Sequence, residues 1–278
     1  MPECIEVAWT ADCLKQLLIG KRYYNEVVID VFSHGKQLFI QMNDNSFINI
    51  HFGLTGYLSI YPDQKYHKGT LVFRNKDIET GGINLYYYDK VHLGKITPLS
   101  SSEYQEKIQK LGLDVMNMAE FTLTNFKTIL SGKKISISKF LMEQKYISGI
   151  GNYLKSEILY QARISPHTKV NQLSPIQIAN LFSSIRVVVY NSYLMGFVNQ
   201  HKKEYNQIAD NFSLDKVPLS KTAEELGINN PHSYRFEVYE KEHNSLGNKV
   251  TKEEIDGRIT YYIESLQKNT SNINKIIQ

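Results

Sequence analysis

The residues best suited to chemistry stand at the start of the chain, in the order Met1, Pro2, Glu3, Cys4, Ile5 and Glu6. Removal of Met1, which is usual before a small residue, would leave a secondary amine at Pro2 beside the Glu3 carboxylate. An α-amino group titrates at about 8, so part of it is an unprotonated nucleophile at neutral pH. Such an amine can attack a carbon with carbonyl character and hold it as an iminium. On these residues alone, a disordered terminus is the alternative.

The composition leaves room for two domains. The chain has 278 residues, enough for one large core or two medium ones, and we expect two. Only two cysteines occur, Cys4 and Cys13, which favours a reducing compartment and gives no cysteine framework for zinc. We find no targeting leader and no apolar run of the roughly 20 residues that span a bilayer. The expectation is a soluble, intracellular protein without a membrane partner.

Positive charge is concentrated in one stretch of the sequence. The net charge is only +4, but between residues 127 and 155 six lysines stand against a single acid, Glu143. Such a cluster is typical of phosphate contacts with nucleic acid, and a solvated helical face is the alternative. Its members are Lys127, Lys133, Lys134, Lys139, Lys145 and Lys155.

The first third of the chain has the pattern of an all-β unit. Thr10 is placed to cap a short helix that runs through Leu18 and stops at Gly20. β-Branched and aromatic residues then recur with a period of two between turn residues, which predicts a sandwich. The predicted strands are 27–32, 37–42, 46–51, 57–61, 70–74 and 83–88.

From about Ser100 the period becomes helical. Ser100 and Glu103 have the spacing of a capping box and open a helix that ends near Gly112. Further helices are predicted over 122–130, 137–146, 153–162 and 175–195. The second domain is therefore helical, and the chain as a whole is α+β.

The loop Gly149-Ile150-Gly151-Asn152 precedes one of these helices. Free backbone N–H groups and the helix dipole attract anions there, and glycines let a phosphate approach closely. A plain interhelical turn is the alternative, but the flanking lysines favour a phosphate site.

Five motifs in this order closely resemble the formamidopyrimidine-DNA glycosylase and endonuclease VIII family. They are Met1-Pro2-Glu3 with Glu6, Gly35-Lys36, His51-Phe52-Gly53-Leu54-Thr55-Gly56, Leu141-Met142-Glu143-Gln144, and Gly149-Ile150-Gly151-Asn152 with Glu157. The resemblance implies an N-terminal β-sandwich, a helix-two-turn-helix domain and a C-terminal two-stranded β finger. We expect these at 1–115, 116–215 and 216–268, followed by a flexible tail at 269–278.

The resemblance also implies roles for single residues. Pro2 would be the nucleophile that attacks the anomeric carbon of a damaged nucleotide, Glu3 the acid that helps to open the sugar, and Glu6 a supporting acid. Lys36 would bind the phosphate beside the lesion, with a solvated lysine at a strand end as the alternative. Asn152 would hold a backbone phosphate.

A base can be excised only after its nucleotide is flipped out of the duplex, and an apolar wedge fills the space that it leaves. Leu54 matches one wedge position of the family, with an ordinary core leucine as the alternative. The loop 89–94 replaces an arginine-containing loop of the family. Leu93 is expected to serve there as a second wedge, while Val91 is a poor substitute for arginine. Cys4 and Ile5 also depart from the family pattern and leave the shape of the first turn open.

The finger departs most clearly from the family. Many members bind zinc there through four cysteines, but the stretch from Phe236 to Tyr262 has none. His232 and His243 lack partner ligands, so neither a metal nor a cofactor is expected. The stretch resembles the zincless finger of some endonuclease VIII-like members, in which Arg258 would contact phosphate or the flipped nucleotide. A surface arginine on an edge strand is the alternative.

The resemblance implies a monomeric base-excision-repair DNA glycosylase that is also an abasic-site (AP) lyase. Its partner would be damaged DNA, whether duplex, single-stranded or open, and its substrates oxidised bases with a preference for pyrimidines. A non-catalytic DNA-binding protein of the same fold and an AP lyase without base excision are the alternatives. The stretch 197–231, with a short helix near 222–226, would form either a loop over the lesion or a disordered surface excursion.

Overall fold

The computed structural model describes residues 2–62, 65–75, 81–196 and 234–268. The chain divides into two compact units, Met1–Lys110 with Met195–Glu225, and Leu111–Leu194 with Leu226–Gln278. The first is β-rich and the second helical, which confirms the α+β prediction. The predicted helix near 222–226 and the tail 269–278 lie outside the described residues. No helix in the described ranges is long and apolar enough to cross a membrane.

The first helix, α1 (Cys4–Leu18), begins well before the predicted cap at Thr10. Glu3 is the N-cap, and its N–H donates to the Glu6 carboxylate at 2.8 Å. The Thr10 hydroxyl instead donates to the Glu6 carbonyl, one turn back inside the helix. The prediction was wrong because residues 4–11 are buried on nearly every side, so this part of the helix carries no amphipathic period.

Eight strands hydrogen bond in the continuous order β5-β7-β6-β1-β2-β3-β4-β8. Neighbouring strands are antiparallel throughout. The strands are β1 (Arg22–Tyr23), β2 (Glu26–His34), β3 (Gln37–Met42), β4 (Phe47–His51), β5 (Tyr57–Ser59), β6 (His67–Arg74), β7 (Gly82–Tyr88) and β8 (Lys95–Leu99). The six predicted strands are present. The sequence did not reveal β1, which has two residues, or β8, which is mostly exposed and contains Pro98.

Helix α2 (Ser101–Gln109) covers one face of this sheet through Tyr104. The Tyr104 ring stacks on Phe47 at 4.0 Å between centroids and meets Phe39 edge-on at 5.2 Å. The predicted capping box is confirmed, because the Ser100 N–H donates to the Glu103 carboxylate at 2.8 Å and the Ser100 hydroxyl accepts from the Glu103 N–H. A local signal in the sequence therefore fixes the helix that packs on the sheet.

The second unit contains α3 (Leu123–Leu130), α4 (Ile137–Met142), α5 (Asn152–Ala162) and α6 (Pro175–Asn191), the last extended by a π-helical turn, Ser192–Gly196. Thr122, Ser136 and Ser174 cap three of these helices through their hydroxyls. Helix α4 is shorter than predicted because the backbone becomes extended at Glu143. The chain then forms a short parallel pair between β9 (Leu113–Asp114) and β10 (Ile147–Ser148).

The two-stranded finger consists of β11 (Thr251–Ile255) and β12 (Arg258–Tyr262). Asp256 and Gly257 join the strands with φ values of 52° and 75°. Two consecutive residues of positive φ are what a type I′ hairpin turn requires, and Asp-Gly is a favoured sequence for it. The hairpin is anchored by a buried apolar cluster within the same unit, namely Tyr160, Val238, Val250, Tyr261 and Ile263.

Candidate active site and nucleic-acid interface

Pro2, Glu3 and Glu6 lie together at the N-terminus of α1. All three are buried, and only 1% of Glu3 and 2% of Glu6 is exposed. The hydrogen bond from the Glu3 N–H to the Glu6 carboxylate orients the peptide that joins Pro2 to Glu3. The sequence left open a disordered terminus, and the structure instead fixes this dipeptide as the cap of a buried helix.

The first turn of α1 holds that cap against the sheet. Cys4 and Ile5, the residues that depart from the family pattern, are the first two residues of the helix and have 0% exposure. Helix α1 packs against β2 and β3. The position of Pro2 and Glu3 is therefore set by core packing as well as by the Glu6 hydrogen bond. Burial also raises the pKa of the Cys13 thiol, which makes it a small apolar core residue.

Lys36 and His51 lie at the same end of the sheet. Lys36 occupies the two-residue turn between β2 and β3, and the next residue, Gln37, pairs directly with His51 at the end of β4. The His51 Nδ1 accepts a hydrogen bond from the Gly53 N–H at 3.3 Å, which leaves Nε2 as the donor of a neutral ring. Burial, then Lys107 and Lys36, lower the pKa of His51, so the ring is neutral at pH 7.

The sequence did not single out His51, although it opens one of the five motifs. The signal that would have identified it is its place at the last residue of a strand, immediately before a glycine turn. A polar side chain there is presented at the end of the sheet, where functional residues concentrate.

Leu54 and Leu93 are both exposed, by 42% and 57% respectively. Their loops are joined through the buried Asp89 side chain, which accepts hydrogen bonds from the Thr55 hydroxyl at 2.7 Å and the Gly94 N–H at 2.8 Å. Burial raises the pKa of Asp89, but these hydrogen bonds outweigh it and leave the pKa lowered. Leu54 is thus not a core leucine. The hydrogen bonds of Asp89 therefore fix two loops, each of which exposes one leucine side chain.

Two glycines let these loops approach each other. A Cβ on Gly53, whose φ is +63°, would lie 2.6 Å from the Gly94 nitrogen. A Cβ on Gly94 would lie 1.6 Å from the Tyr87 hydroxyl. No side chain fits at either position. Gly53 of the motif is therefore required by close packing as well as by its backbone conformation.

In the second unit, the Gln144 side chain shapes the loop that precedes α5. Its Nε2 donates to the Ile150 carbonyl at 2.9 Å, and its Oε1 accepts from the Gly149 N–H at 2.9 Å. Gly151 is the N-cap of α5, so Asn152 is the first helical residue. The helix dipole places partial positive charge at this end of α5, which suits an anion. The Asn152 amide nitrogen donates to the Ile259 carbonyl of the finger at 2.8 Å.

Lys155, which the sequence suggested as a DNA phosphate contact, is buried in the structure. Its side chain has 0% exposure, and its ammonium donates to the Asn152 Oδ1 at 2.9 Å and to the Thr260 hydroxyl at 2.7 Å. A fully buried ammonium cannot reach a backbone in solvent, so that prediction was wrong. The structure assigns Lys155 to the support of Asn152 and of strand β12.

Substitution of Lys155 by methionine is expected to lower the free energy of unfolding by about 2 kcal/mol, because the hydrogen-bond acceptors of Asn152 and Thr260 lose a buried donor. The matched control is Lys139→Met, which changes an exposed lysine of the same unit and is expected to stay within about 0.5 kcal/mol of the wild type. Thermal and denaturant unfolding measure both. Equal stability of the two variants would contradict the supporting role.

The other lysines of the cluster remain at the surface, where Lys127, Lys134, Lys139 and Lys145 are exposed and Lys133 is half-buried. Lys133 and Lys145 both lie over the Tyr146 ring, at 4.5 and 5.1 Å from its centroid. Positive charge and an aromatic ring therefore occur together beside the loop that precedes α5. This arrangement is compatible with the predicted phosphate contacts.

Arg258 is exposed at the first position of β12, opposite Ile255. The segment before the hairpin is fixed by Glu157, a buried residue of α5. Its carboxylate accepts the N–H groups of Glu237, Val238 and Tyr239 at 2.8 to 2.9 Å. Burial raises the pKa of Glu157, while those three hydrogen bonds oppose the rise. The support that Glu157 gives to the finger thus explains why a glutamate stands at this position of the motif.

Within the ranges that the structure describes, no three His, Cys, Asp or Glu side chains converge as metal ligands. His243 lies in that part of the chain, in an isolated bridge with Lys249, whereas His232 falls outside it. A zincless finger therefore stays an expectation of the sequence.

Comparison with known proteins gives consistent matches. The formamidopyrimidine-DNA glycosylase H2TH domain family matches residues 111–199. A formamidopyrimidine-DNA glycosylase of Arabidopsis thaliana is 29% identical over 219 residues, which are 69% of this chain and 55% of that protein. One from Pelotomaculum thermopropionicum is 26% identical over 273 residues, 96% of this chain and 86% of its own length. The chain thus spans little more than half of the Arabidopsis protein.

Solved structures agree in fold. The complex of the Lactococcus lactis enzyme with DNA that contains an abasic site has a TM-score of 0.76 at 18% identity and covers 96% of this chain and all of that one. The MutM (Fpg) protein of Thermus thermophilus has a TM-score of 0.74 at 22% identity, with 96% of this chain and 99% of the other covered. A β-rich unit followed by a helix-two-turn-helix unit is the fold that these proteins share.

That fold and the H2TH match define the class, a helix-two-turn-helix protein with a β-rich N-terminal unit. A relative that covers 96% of this chain agrees with that class. The chain carries a formamidopyrimidine-DNA glycosylase H2TH domain at residues 111–199 and is similar to formamidopyrimidine-DNA glycosylases.

Proposed function

We propose that this protein is a base-excision-repair DNA glycosylase that removes oxidised bases and cleaves the resulting abasic site as a lyase. The observation that carries the proposal is the buried Pro2-Glu3 dipeptide, capped onto α1 by the Glu6 carboxylate. A flexible terminus has no need of such an anchor. A terminal amine that must attack one carbon atom does, because misplacement by about 1 Å can cost a hundredfold in rate.

The reaction follows from these residues once Met1 is removed. The Pro2 nitrogen attacks the anomeric carbon, and the bond from that carbon to the base breaks as the base leaves with a proton. Glu3 supplies a proton to open the sugar, which leaves an iminium between Pro2 and the anomeric carbon. Loss of a proton from the adjacent sugar carbon then expels the 3′ phosphate by elimination. Addition of water to the iminium then releases the sugar as an aldehyde and returns the free amine of Pro2.

DNA binding in this proposal uses groups from both units. Lys36 and the Nε2–H of His51 are donors for a phosphate at the end of the sheet, and Asn152, at the N-terminus of α5, is a donor in the helical unit. Leu54 and Leu93 are the apolar side chains that fill the space left by a flipped nucleotide. Lactococcus lactis and Thermus relatives share the fold, and the former has been seen with abasic-site DNA.

Oxidised pyrimidines in duplex, single-stranded or open DNA are the proposed substrates. This preference comes with the resemblance of the cysteine-free finger to that of endonuclease VIII-like members. The hairpin β11–β12 and its apolar anchor support a finger held by side-chain packing. A zincless finger and a monomeric state are part of the same proposal.

Borohydride trapping tests the function directly. DNA with an abasic site and, separately, DNA with an oxidised pyrimidine are incubated with the protein and borohydride, and the cross-linked peptide is identified by mass spectrometry. We expect a cross-link at Pro2 on both substrates. A cross-link on abasic DNA alone would indicate a lyase without base excision, and none on either would indicate a non-catalytic DNA-binding protein.

Removal of the Arg258 side chain by Arg258→Ala is expected to slow lesion processing by about 10- to 100-fold, because a charge-assisted contact is worth roughly 1.5 to 3 kcal/mol. Since Arg258 is exposed, the melting temperature should barely move. Lys252→Ala, on the paired strand, is the control for loss of one finger charge. A large drop in melting temperature with Arg258→Ala would show a structural role instead.

A further inference from the structure

Three lysines extend the positive end of the sheet beyond Lys36 and His51. Lys95 opens β8 and pairs directly with His51 across the strands. Lys107 lies in the last turn of α2, and Lys110 is its C-cap residue. We call Lys95, Lys107 and Lys110 the α2 lysine cluster.

Packing of α2 brings this cluster to the end of the sheet. Tyr104 rests on the aromatic face of β3 and β4, so Lys107, three residues later on the same face of the helix, follows it along the sheet. The register His34–Gln37–His51–Lys95 runs across the four strands at that end. Accordingly, Lys107 adds to the burial that lowers the pKa of His51. Lys110 and Lys95 likewise add to the burial that lowers the pKa of Lys107.

Within the part of the chain that the structure describes, no ion pair neutralises the positive charge of the cluster. Among the described residues, the salt bridges are Lys15–Asp30, Lys145–Glu143 and His167–Glu253. The Glu103 carboxylate of α2 is occupied by the Ser100 N–H and hydroxyl. Burial, followed by Lys110 and Lys95, lowers the pKa of Lys107. The three cations therefore repel one another, and an anion between them would relieve that repulsion.

A purely structural role accounts for only part of this arrangement. Lysines in the last turn of a helix stabilise the helix by interacting with its dipole. Lys107 and Lys110 are placed to do so. Lys95 is not, because it lies on β8. Its cross-strand neighbour is His51, so the surface of the cluster is continuous with the phosphate donors proposed above.

We propose that the α2 lysine cluster binds DNA phosphates next to the phosphate held by Lys36 and His51, and so extends the contact along the backbone beyond the lesion. This inference rests on the proposed function. It adds contacts that are independent of the base, so it predicts an effect on affinity and its salt dependence for damaged and undamaged DNA alike.

The test is the dependence of DNA affinity on salt concentration for duplex DNA with and without an abasic-site analogue. Each phosphate neutralised contributes about 0.9 to the slope of log K against log salt. The triple variant Lys95→Gln, Lys107→Gln, Lys110→Gln should lower the slope by about 2 to 3. Between 50 and 200 mM salt, the wild type should then lose at least about tenfold more affinity than the variant.

Lys15→Gln is the matched control, since it removes one positive charge from the same unit at a side chain already paired with Asp30 at 2.7 Å. Its slope should equal that of the wild type. The single variants Lys95→Gln and Lys110→Gln, at exposed positions, are expected to fold and should each lower the slope by about 0.9.

An unchanged slope in the triple variant and in both single variants, with borohydride trapping intact, would overturn the role of the cluster and leave the proposed function standing. Absence of both DNA binding and trapping in the wild type would overturn the two together. Loss of trapping in the triple variant at low salt with DNA affinity unchanged would also contradict the proposal, because the cluster would then act on the chemistry.

Discussion

Replacement of Pro2 by glycine is expected to reduce borohydride trapping on abasic DNA by about a hundredfold. Glycine, like proline, permits removal of Met1, so the variant still presents a free amine. That amine is primary, however, and it lacks the ring that fixes the orientation of the proline nitrogen and its lone pair. The nucleophile then samples many positions instead of the one set by the cap of α1.

The control for this substitution is Pro98→Gly, which makes the same change at an exposed position of β8 in the same unit. It should leave trapping unchanged. The Pro2 variant should bind abasic DNA as tightly as the wild type, because phosphate contacts do not involve the amine. Undiminished trapping after Pro2→Gly would assign the Schiff base to another amine of the chain.

Substitution of Glu3 by glutamine should lower the single-turnover rate of base excision by about 10²- to 10⁴-fold, the usual contribution of a general acid or base. The two side chains have nearly the same size, so the buried cap of α1 is kept. Cleavage of DNA that already carries an abasic site should be retained, since the iminium there forms without departure of a base. DNA affinity should be unchanged.

Glu6→Gln distinguishes chemistry from positioning. The glutamine Oε1 can still accept the Glu3 N–H, whose bond to Glu6 is 2.8 Å long in the wild type, so excision should fall by less than about tenfold. If Glu3→Gln abolished DNA binding or unfolded the protein, Glu3 would be a structural residue. If both variants lost excision equally, Glu6 would share the proton-transfer role.

Local signals in the sequence predicted much of the fold. The capping box of Ser100 and Glu103 predicted α2, and Pro175 predicted the start of α6. The alternation of apolar residues predicted six of the eight strands of the sheet. In each case the sequence pattern that marks the element lies within a few residues of the chain. The same holds for the candidate site at Pro2 and Glu3, because Glu6 is only three residues from Glu3.

Lys155 shows why other features could not be predicted. In the sequence it is one of six lysines with few acids nearby, which is a surface pattern. Its burial depends on Thr260, which is 105 residues away and supplies a hydroxyl at 2.7 Å. The start of α1 was missed for a related reason, since a helix buried on nearly every side has no apolar stripe. Contacts distant in the chain leave no local periodicity.

The Glu157 carboxylate, which holds three consecutive N–H groups at 237–239, has a consequence for the evolution of the chain. It fixes the point at which the backbone returns to α5 after the connection that follows α6. Backbone N–H groups are present at 237–239 whatever side chains other than proline stand there, so these residues can change while a carboxylate at position 157 keeps the segment on α5.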